Sequence, residues 1–309
     1  MEALLEAAVL APSSHNTQPW IFEVSDRRIS LLADRTRALP VNDPDDRELT
    51  ISCGAALFNL RVAAAGTRLG SKVRLLPDPD HNDLLAVVEL DSGSPDQVAE
   101  LHSEIPRRRT YRKRFAAKPV PDSLLIELAG AAEHEGAWLS VLAGEDQRQQ
   151  AAKLVAEGDA IQWADRSWRR ELAAWMHPRR KGDGLTVPGF VAPIAQTVVR
   201  TFDMGNGVGA KDSQLAEESP VLAVLGTSGD SQADWLMAGQ ALERLLLLAC
   251  KAGVQASYLN QPIQTASLRP KLQHAIGAAG FPQILLRLGF PIGDLPAAPR
   301  RSLEAVVEA

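Results

Sequence analysis

The sequence lacks cysteine pairs, long apolar runs and an apolar leader segment. Cys53 and Cys250 are the only cysteines in 309 residues, so neither a disulfide framework nor a zinc site is expected. The apolar run 245–250 is far shorter than the roughly 20 residues that span a bilayer. No basic segment followed by a long apolar stretch opens the chain. These absences predict a cytoplasmic protein without a membrane partner or a metal site.

An excess of positive charge is also missing. The net charge of −5 argues against a general nucleic-acid binder, so no nucleic-acid partner is expected. The chain is 45% hydrophobic and 23% charged, which is typical of globular proteins and excludes disordered, collagen-like and coiled-coil chains. A length of 309 residues corresponds to about two domains.

The hydrophobic pattern predicts a mixture of helices and strands along the whole chain. Helices are predicted at residues 2–10, 48–70, from 121 onward, 145–177, 232–252 and 267–276. Strands are predicted in the segments WIFEVS, RISLLAD, KVRLLP, LLAVVEL, WLSVLA, PVLAVLGT and QILLRLGF. Residues 91–110 are polar and typical of a connector, and residues 178–216 are predicted to be irregular and rich in glycine.

Two of the predicted helices resemble each other. Residues 54–64 and 239–249 align at a constant offset, with Gly54 opposite Gly239 and several alanines and leucines matched. An internal duplication would explain this match. Two unrelated helices rich in alanine and leucine would explain it as well, so both interpretations stay open on this observation alone.

The first candidate motif is the loop 12–20, PSSHNTQPW, between a predicted helix and a predicted strand. Its serine, asparagine and glutamine side chains offer donors and acceptors without net charge, which suits the edge of a flat heterocycle. An ordinary turn is the alternative. The pair Ser14 and His15 does not indicate a serine nucleophile, because no matching acid or G-x-S-x-G elbow is present.

The second candidate motif is the segment 107–114, RRRTYRKR, in which six of eight residues are basic. Arg108, Thr110 and Arg112 alternate, so they would share one face of an extended segment. Two guanidinium groups and a hydroxyl suit a phosphate monoester, whereas a solvated basic loop is the alternative. Neither a Walker A motif nor G-x-G-x-x-G occurs, which argues against a P-loop or Rossmann nucleotide site.

Three other features have a structural interpretation that we favour. The acidic run 43–48 suits the entry of a helix better than a metal site. Cys53, near a helix start, fits a small packing residue better than a reactive thiol. Trp163, Trp168 and Trp175 belong either to a core or to a lid.

The segment from about 163 to 216 is expected to form that lid. Loops longer than roughly 15 residues in compact domains are usually lids, binding elements or disordered. Glycines could serve as its hinges. These glycines are Gly182, Gly184, Gly189, Gly205, Gly207 and Gly209.

The motifs together resemble the FMN-dependent nitroreductase family. The resemblance is carried by R-x-T-x-R followed by FAAKPVPDSLLIELAGAA, by APSSHNTQPWIFEV, by LLRLGFP and by the ending PRRSLEAVV. The stretch ADRTRALPVNDPDDRELTISCGAALFNL is most similar to the mycobacterial Acg-like subfamily. The resemblance covers nearly the whole chain. It implies an α+β, nitroreductase-like fold with FMN as the cofactor.

The motifs are distributed in an unusual way for that family. Family members are normally homodimers with two FMN sites at the subunit interface. Here the half 1–100 carries the loop PSSHNTQPW without the arginine motif, and the half 101–309 carries the arginine motif without the loop. The resemblance therefore implies an intrachain pseudo-dimer of two degenerate halves, a monomer that mimics the family dimer and keeps one complete FMN site.

The resemblance also implies which residues bind the cofactor. They are expected to be Pro12, Ser13, Ser14, Asn16, Arg108, Thr110, Arg112, Leu259, Asn260, Arg300 and Arg301.

Within this set, Arg108 and the C-terminal arginine pair would hold the phosphate, and Thr110 would meet the ribityl-phosphate end. Arg112 would lie near the N1/O2 edge of the ring. The backbone at Leu259 and Asn260 would face flavin N5, and the loop from the other half would close the site.

The implied activity is electron transfer from NADH or NADPH to a small aromatic acceptor of the nitroaromatic or quinone type. Hydride transfer requires no side-chain acid or base, so no catalytic residue is assigned. A protein that only stores or sequesters FMN behind a closed lid is the alternative. A basic-loop interaction protein without a cofactor is the third hypothesis.

Overall fold

The computed structural model describes residues 1–93, 96–176, 182–185 and 192–308, with only the backbone of residues 192, 193 and 206. Helices and strands alternate along these residues. The helices are α1 (Glu2–Ala8), α2 (Arg47–Gly66), α3 (Asp122–His134), α4 (Glu145–Ala164), α5 (Arg166–Trp175), α6 (Ala192–Thr201), α7 (Gly205–Glu218), α8 (Gln232–Lys251), α9 (Gln261–Gln264) and α10 (Arg269–Ile276). The strands are β1 (Trp20–Ser25), β2 (Arg28–Ala33), β3 (Gly70–Leu75), β4 (Leu84–Asp91), β5 (Ala137–Val141), β6 (Val221–Thr227), β7 (Gln255–Tyr258), β8 (Phe281–Gly289) and β9 (Val307–Glu308).

The strands form two sheets of matching order. The first sheet runs β3-β4-β2-β1-β9 and the second runs β7-β8-β6-β5, so β1 to β4 correspond to β5 to β8. All pairs within these two sets of four strands are antiparallel. The last strand, β9, pairs in parallel with β1, which brings the C-terminal segment to the first sheet. The predicted α+β fold is confirmed.

The two sheets are joined by the helices α2 and α8, which hold corresponding places after β2 and β6. Their crossing is close because glycines face each other: a Cβ on Gly239 would lie 2.1 Å from the carbonyl oxygen of Ile51 and 2.8 Å from the Cα of Gly54. No side chain fits at this distance. The two glycines matched in the sequence therefore meet at one crossing point.

Helix α2 is apolar on nearly all sides, which is typical of a helix enclosed by a core. By length and composition it could cross a membrane, yet 89% of its apolar window is buried inside the protein. It ends at Gly66, four residues before the predicted end at residue 70, because residue 70 already begins β3. The carboxylate of Asp43 accepts the backbone N–H groups of Glu48 and Leu49 and so caps the start of the helix. This confirms the interpretation of the acidic run as a helix entry.

The segment between β5 and β6 is where the sequence-based prediction fails most. The predicted helix 145–177 is two helices separated at Asp165, whose carboxylate accepts the backbone N–H of Ser167. Residues 192–201 and 205–218 are helical rather than irregular, and α7 contains three glycines that we assigned to a loop, namely Gly205, Gly207 and Gly209. Packing of α7 against α4 overrides the weak helix propensity of these glycines. The predicted hinge Gly189 lies outside the described residues.

Candidate functional site

The loop between α1 and β1 has a strained backbone. His15, Asn16 and Gln18 adopt left-handed φ values of 49°, 56° and 53°, which non-glycine residues rarely do. The hydroxyl of Ser13 accepts the backbone N–H of Gln18 at 3.0 Å, which holds the loop in this shape. Strain of this kind persists only where surrounding contacts enforce it, and it is common at ligand sites.

Glu48, in the first turn of α2, is the centre of a polar network at this loop. Its side chain is buried and accepts hydrogen bonds from Ser14 Oγ at 2.6 Å and from Gln264 Nε2 at 2.9 Å. Weaker contacts of 3.5 Å come from Asn42 Nδ2 and Asn260 Nδ2. Sequence reasoning missed Glu48 because an acidic residue at a helix entry has an ordinary capping explanation.

The hydroxyl of Ser14 therefore contacts a carboxylate and not a histidine. Burial lowers the pKa of the neighbouring His15 to about 4, so its imidazole is neutral at physiological pH. Cys53 is buried and lies 3.2 Å from the carbonyl oxygen of Pro19, and burial raises the pKa of its thiol. These observations support the sequence-based choice against a serine or cysteine nucleophile.

Two arginines meet at the C-terminal end of α1. The Nη2 atoms of Arg108 and Arg300 donate to the same carbonyl oxygen, that of Leu10, at 3.3 and 2.9 Å. Arg300 also donates to the carbonyl of Ala11 at 3.1 Å and to Asn16 Oδ1 at 3.3 Å. Burial and the positive charge of Arg108 lower the pKa of Arg300 to about 10. The structure thus joins the arginine motif, the loop and the C-terminal segment.

Several donors of this arginine pair are buried without an acceptor. Nε and Nη1 of Arg108 and Nε of Arg300 make no hydrogen bond within the described part of the chain. The nearest carboxylate, Glu243 of α8, is completely buried and lies 3.6 Å from Arg108 Nε, too far for a hydrogen bond. Buried guanidinium groups normally have their donors satisfied, so these unsatisfied donors call for an explanation.

Thr110 and Arg112 lie on the same side of the extended segment as Arg108. Thr110 forms a bridge to Ala256 at the edge of β7, and all three side chains interact with the half-buried Tyr258. Burial raises the pKa of Tyr258 to about 12. Arg112 is an exposed residue whose guanidinium forms no hydrogen bond or ion pair with the residues that the structure describes, and partial burial of this group lowers its pKa.

The backbone N–H groups of Leu259 and Asn260, just after β7, differ in their partners. The N–H of Leu259 donates to the carbonyl of Leu285 at 2.9 Å, whereas the N–H of Asn260 has no acceptor among the described residues. The side chain of Asn260 is fixed at both ends, since its Oδ1 accepts the N–H of Leu285 at 3.0 Å and its Nδ2 contacts Glu48.

Arg301 does not join the arginine pair. Its guanidinium donates to the carbonyl of Gln18 at 2.9 Å and contacts Asp34 at 3.3 Å, and its backbone N–H donates to Gln18 Oε1 at 2.8 Å. It fastens the C-terminal segment to the start of β1. Pro12, the first residue of the loop, is half-buried.

A short strap, residues 182–185, lies on the loop and on the C-terminal segment. Gln18 Nε2 donates to the carbonyl of Gly182 at 2.8 Å, and the N–H of Gly184 donates to the carbonyl of Asn16 at 3.2 Å. Asp183 is buried and paired with Arg37. Gly182 has a φ of +80°, and a Cβ there would lie 1.8 Å from the carbonyl oxygen of Arg300.

The three tryptophans of the expected lid are buried, and Trp175 adjoins the strap because its carbonyl accepts the N–H of Leu185 at 2.7 Å. Trp163 and Trp168 contact each other edge to face, and the indole N–H of Trp168 donates to Asn42 Oδ1 at 2.9 Å. Trp175 stacks with the guanidinium of Arg37. These contacts connect the insertion between β5 and β6 to the first half of the chain, and through Asn42 to Glu48.

Comparison with known proteins places the chain in a family. No family profile matches it. The candidate NAD(P)H nitroreductase Rv3131 of Mycobacterium tuberculosis is 34% identical to it over the full chain and 91% of the relative. The chain belongs to the nitroreductase family. A second relative of this nitroreductase-family protein, Acg of the same organism, is 29% identical over 99% of the chain and 94% of the relative. The expected Acg-like membership is confirmed.

Among solved structures, the FMN- and NADPH-dependent nitroreductase NfnB from Sphigopyxis sp. strain HMH covers 68% of this nitroreductase-family chain and 98% of its own. The TM-score is 0.45 and the sequence identity is 18%.

Proposed function

We propose that this chain binds one FMN between its two halves and uses it to pass electrons from NADH or NADPH to a nitroaromatic or quinone-type acceptor. Relatives named as NAD(P)H nitroreductases cover the whole chain, and NfnB is described as dependent on FMN and NADPH. These names support the reaction class. The assignment of the site depends on the geometry of this chain.

The observation that carries the proposal is an arginine pair, the buried Arg108 and the half-buried Arg300, that has buried donors without acceptors. Arg108 and Arg300 converge on one carbonyl oxygen, and three of their N–H-bearing nitrogens have no acceptor in the described residues. A phosphate monoester presents several acceptor oxygens and up to two negative charges, which matches such a pair. The residues present therefore fit the phosphate end of FMN.

The other residues fit the remainder of the cofactor. When bound, FMN supplies the hydride and electron chemistry at its ring. Arg112 places an unpaired positive charge where it would stabilise negative charge on the ring edge. Asn260 offers a free backbone N–H, whereas the N–H of Leu259 already donates to Leu285. In this proposal Arg301 positions the C-terminal segment and does not touch the phosphate.

The proposal of a pseudo-dimer, with a boundary near residue 100, is supported by the repeated strand order and by the crossing of α2 and α8 at Gly54 and Gly239. The loop of residues 12–16 belongs to the first half, and Arg108 to the second. We therefore expect one site per chain and a monomer in solution.

The first test is reconstitution with FMN. The chain should take up one FMN per protein molecule, measured by the visible absorbance of the bound flavin and by quantitation after its release. Size-exclusion chromatography of the loaded protein should give the mass of one chain. A protein that takes up no FMN contradicts the proposal, and two FMN per chain contradicts the single site.

The second test separates an enzyme from a store. Anaerobic addition of NADH or NADPH should bleach the visible absorbance of the oxidised flavin, and reoxidation by a quinone should restore it. Rapid, saturable reduction supports the oxidoreductase and rejects the store.

Storage of FMN is a second candidate, favoured by the strap. Residues 182–185 bond to Gln18 and Asn16, so the loop that closes the site is itself covered. If the strap excludes the nicotinamide, the intact protein should be reduced by dithionite and only slowly by NADPH. Asp183→Asn removes the charge that pairs with Arg37 and should then increase the rate with NADPH. Glu89→Gln, which alters an exposed ion pair on β4, is the matched control.

A further inference from the structure

The completely buried side chain of Glu243 is not explained by the fold or by the proposed site. Among the residues that the structure describes, neither of its carboxylate oxygens accepts a well-formed hydrogen bond, and Arg108 Nε forms an ion pair with it at 3.6 Å. An ionised carboxylate in such a place is costly because the two arginines and the amide of Asn59 replace its hydration only in part. A change in the charge nearby can therefore shift such a carboxyl group between its ionised and its protonated form.

The polar groups that face Glu243 come from four segments of the chain, and three of them are charged or titratable. Arg108 precedes α3, Arg300 lies in the C-terminal segment, and Tyr258 ends β7, while Asn59 of α2 offers a neutral amide. Two cations and one carboxylate therefore share this buried space in the free protein. Burial raises the pKa of Glu243 to about 7, with the two arginines opposing the shift.

We propose that Glu243 takes up a proton from solvent when a phosphate group binds to Arg108 and Arg300; this inference rests on the proposed function. In the free protein the Glu243 carboxylate balances part of the arginine charge. A bound phosphate dianion brings two negative charges to the same two arginines. Protonation of the carboxylate to the carboxylic acid removes the surplus negative charge, so each bound dianion is accompanied by one proton.

The consequence is a pH dependence of binding that the phosphate alone would not produce. The second pKa of a phosphate monoester is about 6, so at pH 8 the free ligand is already a dianion and takes up no proton itself. Any proton taken up on binding at pH 8 must therefore bind to a group of the protein. Affinity should fall by up to about tenfold per pH unit above pH 7, because the proton becomes scarcer.

Calorimetric titration of FMN into the FMN-free protein at pH 8, in two phosphate-free buffers of different ionisation enthalpy, measures this proton. We expect an uptake of about 0.5–1 proton per FMN. Inorganic phosphate should bind more weakly with a similar uptake. Riboflavin, which lacks the phosphate, should bind without uptake.

Two variants assign the proton to its residue. Glu243→Gln keeps the size of the side chain and should abolish the uptake while tightening FMN binding at pH 8 by about tenfold. Glu218→Gln alters another arginine-paired carboxylate, on the surface beside Arg114, and should keep the uptake of the parent protein.

The outcomes separate this inference from the proposed function. FMN binding without proton uptake in the parent protein, or uptake that persists in Glu243→Gln, overturns the role of Glu243 and leaves the FMN site intact. Failure of FMN to bind overturns the proposed function. In that case proton-linked binding of inorganic phosphate still supports the role of Glu243, and its absence rejects both.

Discussion

Two connections between a helix and a strand occupy corresponding places in the two sheets, and we call them the two corners. They differ in whether the arginines and the carboxylate near them are hydrogen-bonded. The first corner joins α1 to β1 through residues 9–19, and the second joins α3 to β5 through residues 135–136. In the second corner Glu135 accepts Arg61 at 2.6 Å and Arg244 at 2.7 Å, one arginine on each carboxylate oxygen. In the first corner Arg108 and Glu243 lie close without a hydrogen bond.

This difference shows that the missing hydrogen bonds between Arg108 and Glu243 in the first corner are not a requirement of the topology. The same strand order is compatible with a closed ion cluster, as the second corner demonstrates. The short turn brings Glu135 directly onto α2 and α8, whereas the long loop of the first corner leaves the arginines facing a backbone carbonyl. The first corner is therefore the one arranged for a ligand.

The largest expected effect lies in the second corner. Glu135→Gln removes the carboxylate that pairs with Arg244 and leaves Arg61 with Asp96 as its counter-charge, so the free energy of unfolding should fall by about 2–4 kcal/mol. Urea unfolding at pH 8 measures it. Glu89→Gln, in an exposed ion pair with Arg74, is the control and should change stability by about 0–1 kcal/mol. Equal effects of the two variants would remove the contrast between the corners.

A slightly smaller effect is expected on ligand binding in the first corner. Arg108→Ala should weaken FMN binding by about 1.5–3 kcal/mol, the scale of a charge-assisted hydrogen bond. Fluorescence titration with FMN measures the loss. Arg244→Ala removes an arginine from the second corner and should leave FMN affinity unchanged. If both variants lose affinity equally, the ligand site is assigned to the wrong corner.

The third prediction concerns the stability of the unliganded protein and its pH dependence. The pKa of Glu243 is raised to about 7 in the folded state, so its stabilising contribution is complete below the unfolded pKa near 4.5 and is lost as the pH rises through about 7. Glu243→Gln should therefore raise the free energy of unfolding at pH 8 by about 1–3 kcal/mol and have little effect at pH 4.5.

Urea unfolding of the parent protein and of Glu243→Gln at these two pH values measures the effect. The sign of the change in the free energy of unfolding distinguishes the two corners. The same chemical change at Glu135 is expected to destabilise. A Glu243→Gln variant that is destabilised at pH 8 would mean that the carboxylate already stabilises Arg108, as Glu135 stabilises its arginines.

The smallest effect is expected at Arg112, the exposed and unpaired cation of the first corner. Arg112→Ala should lower the reduction potential of bound flavin by about 10–30 mV, because a positive charge beside the reduced ring is removed. A redox titration against a reference dye measures the shift. Should Arg108→Ala shift the potential while Arg112→Ala does not, the two roles are exchanged.

Much of the framework follows from local patterns in the sequence. Alternating and continuous apolar runs predicted the positions of β1, β2, β6 and β8, and the strongly apolar stretch 232–252 predicted α8. The glycines of α7 misled the prediction, because helix propensity is a weak preference that packing against α4 overrides. The observed helix ends differ from the predicted ones where a turn takes the place of the last predicted helical residues, as at Gly66 of α2.

The candidate site was predictable in part. The loop of residues 12–16 and the alternating Arg108, Thr110 and Arg112 were visible as motifs. Arg300 and Arg301 looked equivalent, yet neighbouring residues of an extended segment point to opposite sides, so only one of them could reach Arg108. Glu243 gave no signal, because a single acidic residue in an apolar helix has no local signature.

Outside the segment between β5 and β6, the sequence by itself determined most of the helices and strands, which side chains share a face, and that two halves carry different motifs. Only the tertiary structure decided which charges are paired. Arg108, Glu243 and Arg300 are far apart in the chain, and their distances depend on how closely α2 and α8 cross at Gly54 and Gly239. The strength of a buried interaction depends on distance and solvent exposure, and neither is encoded in a local pattern of residues.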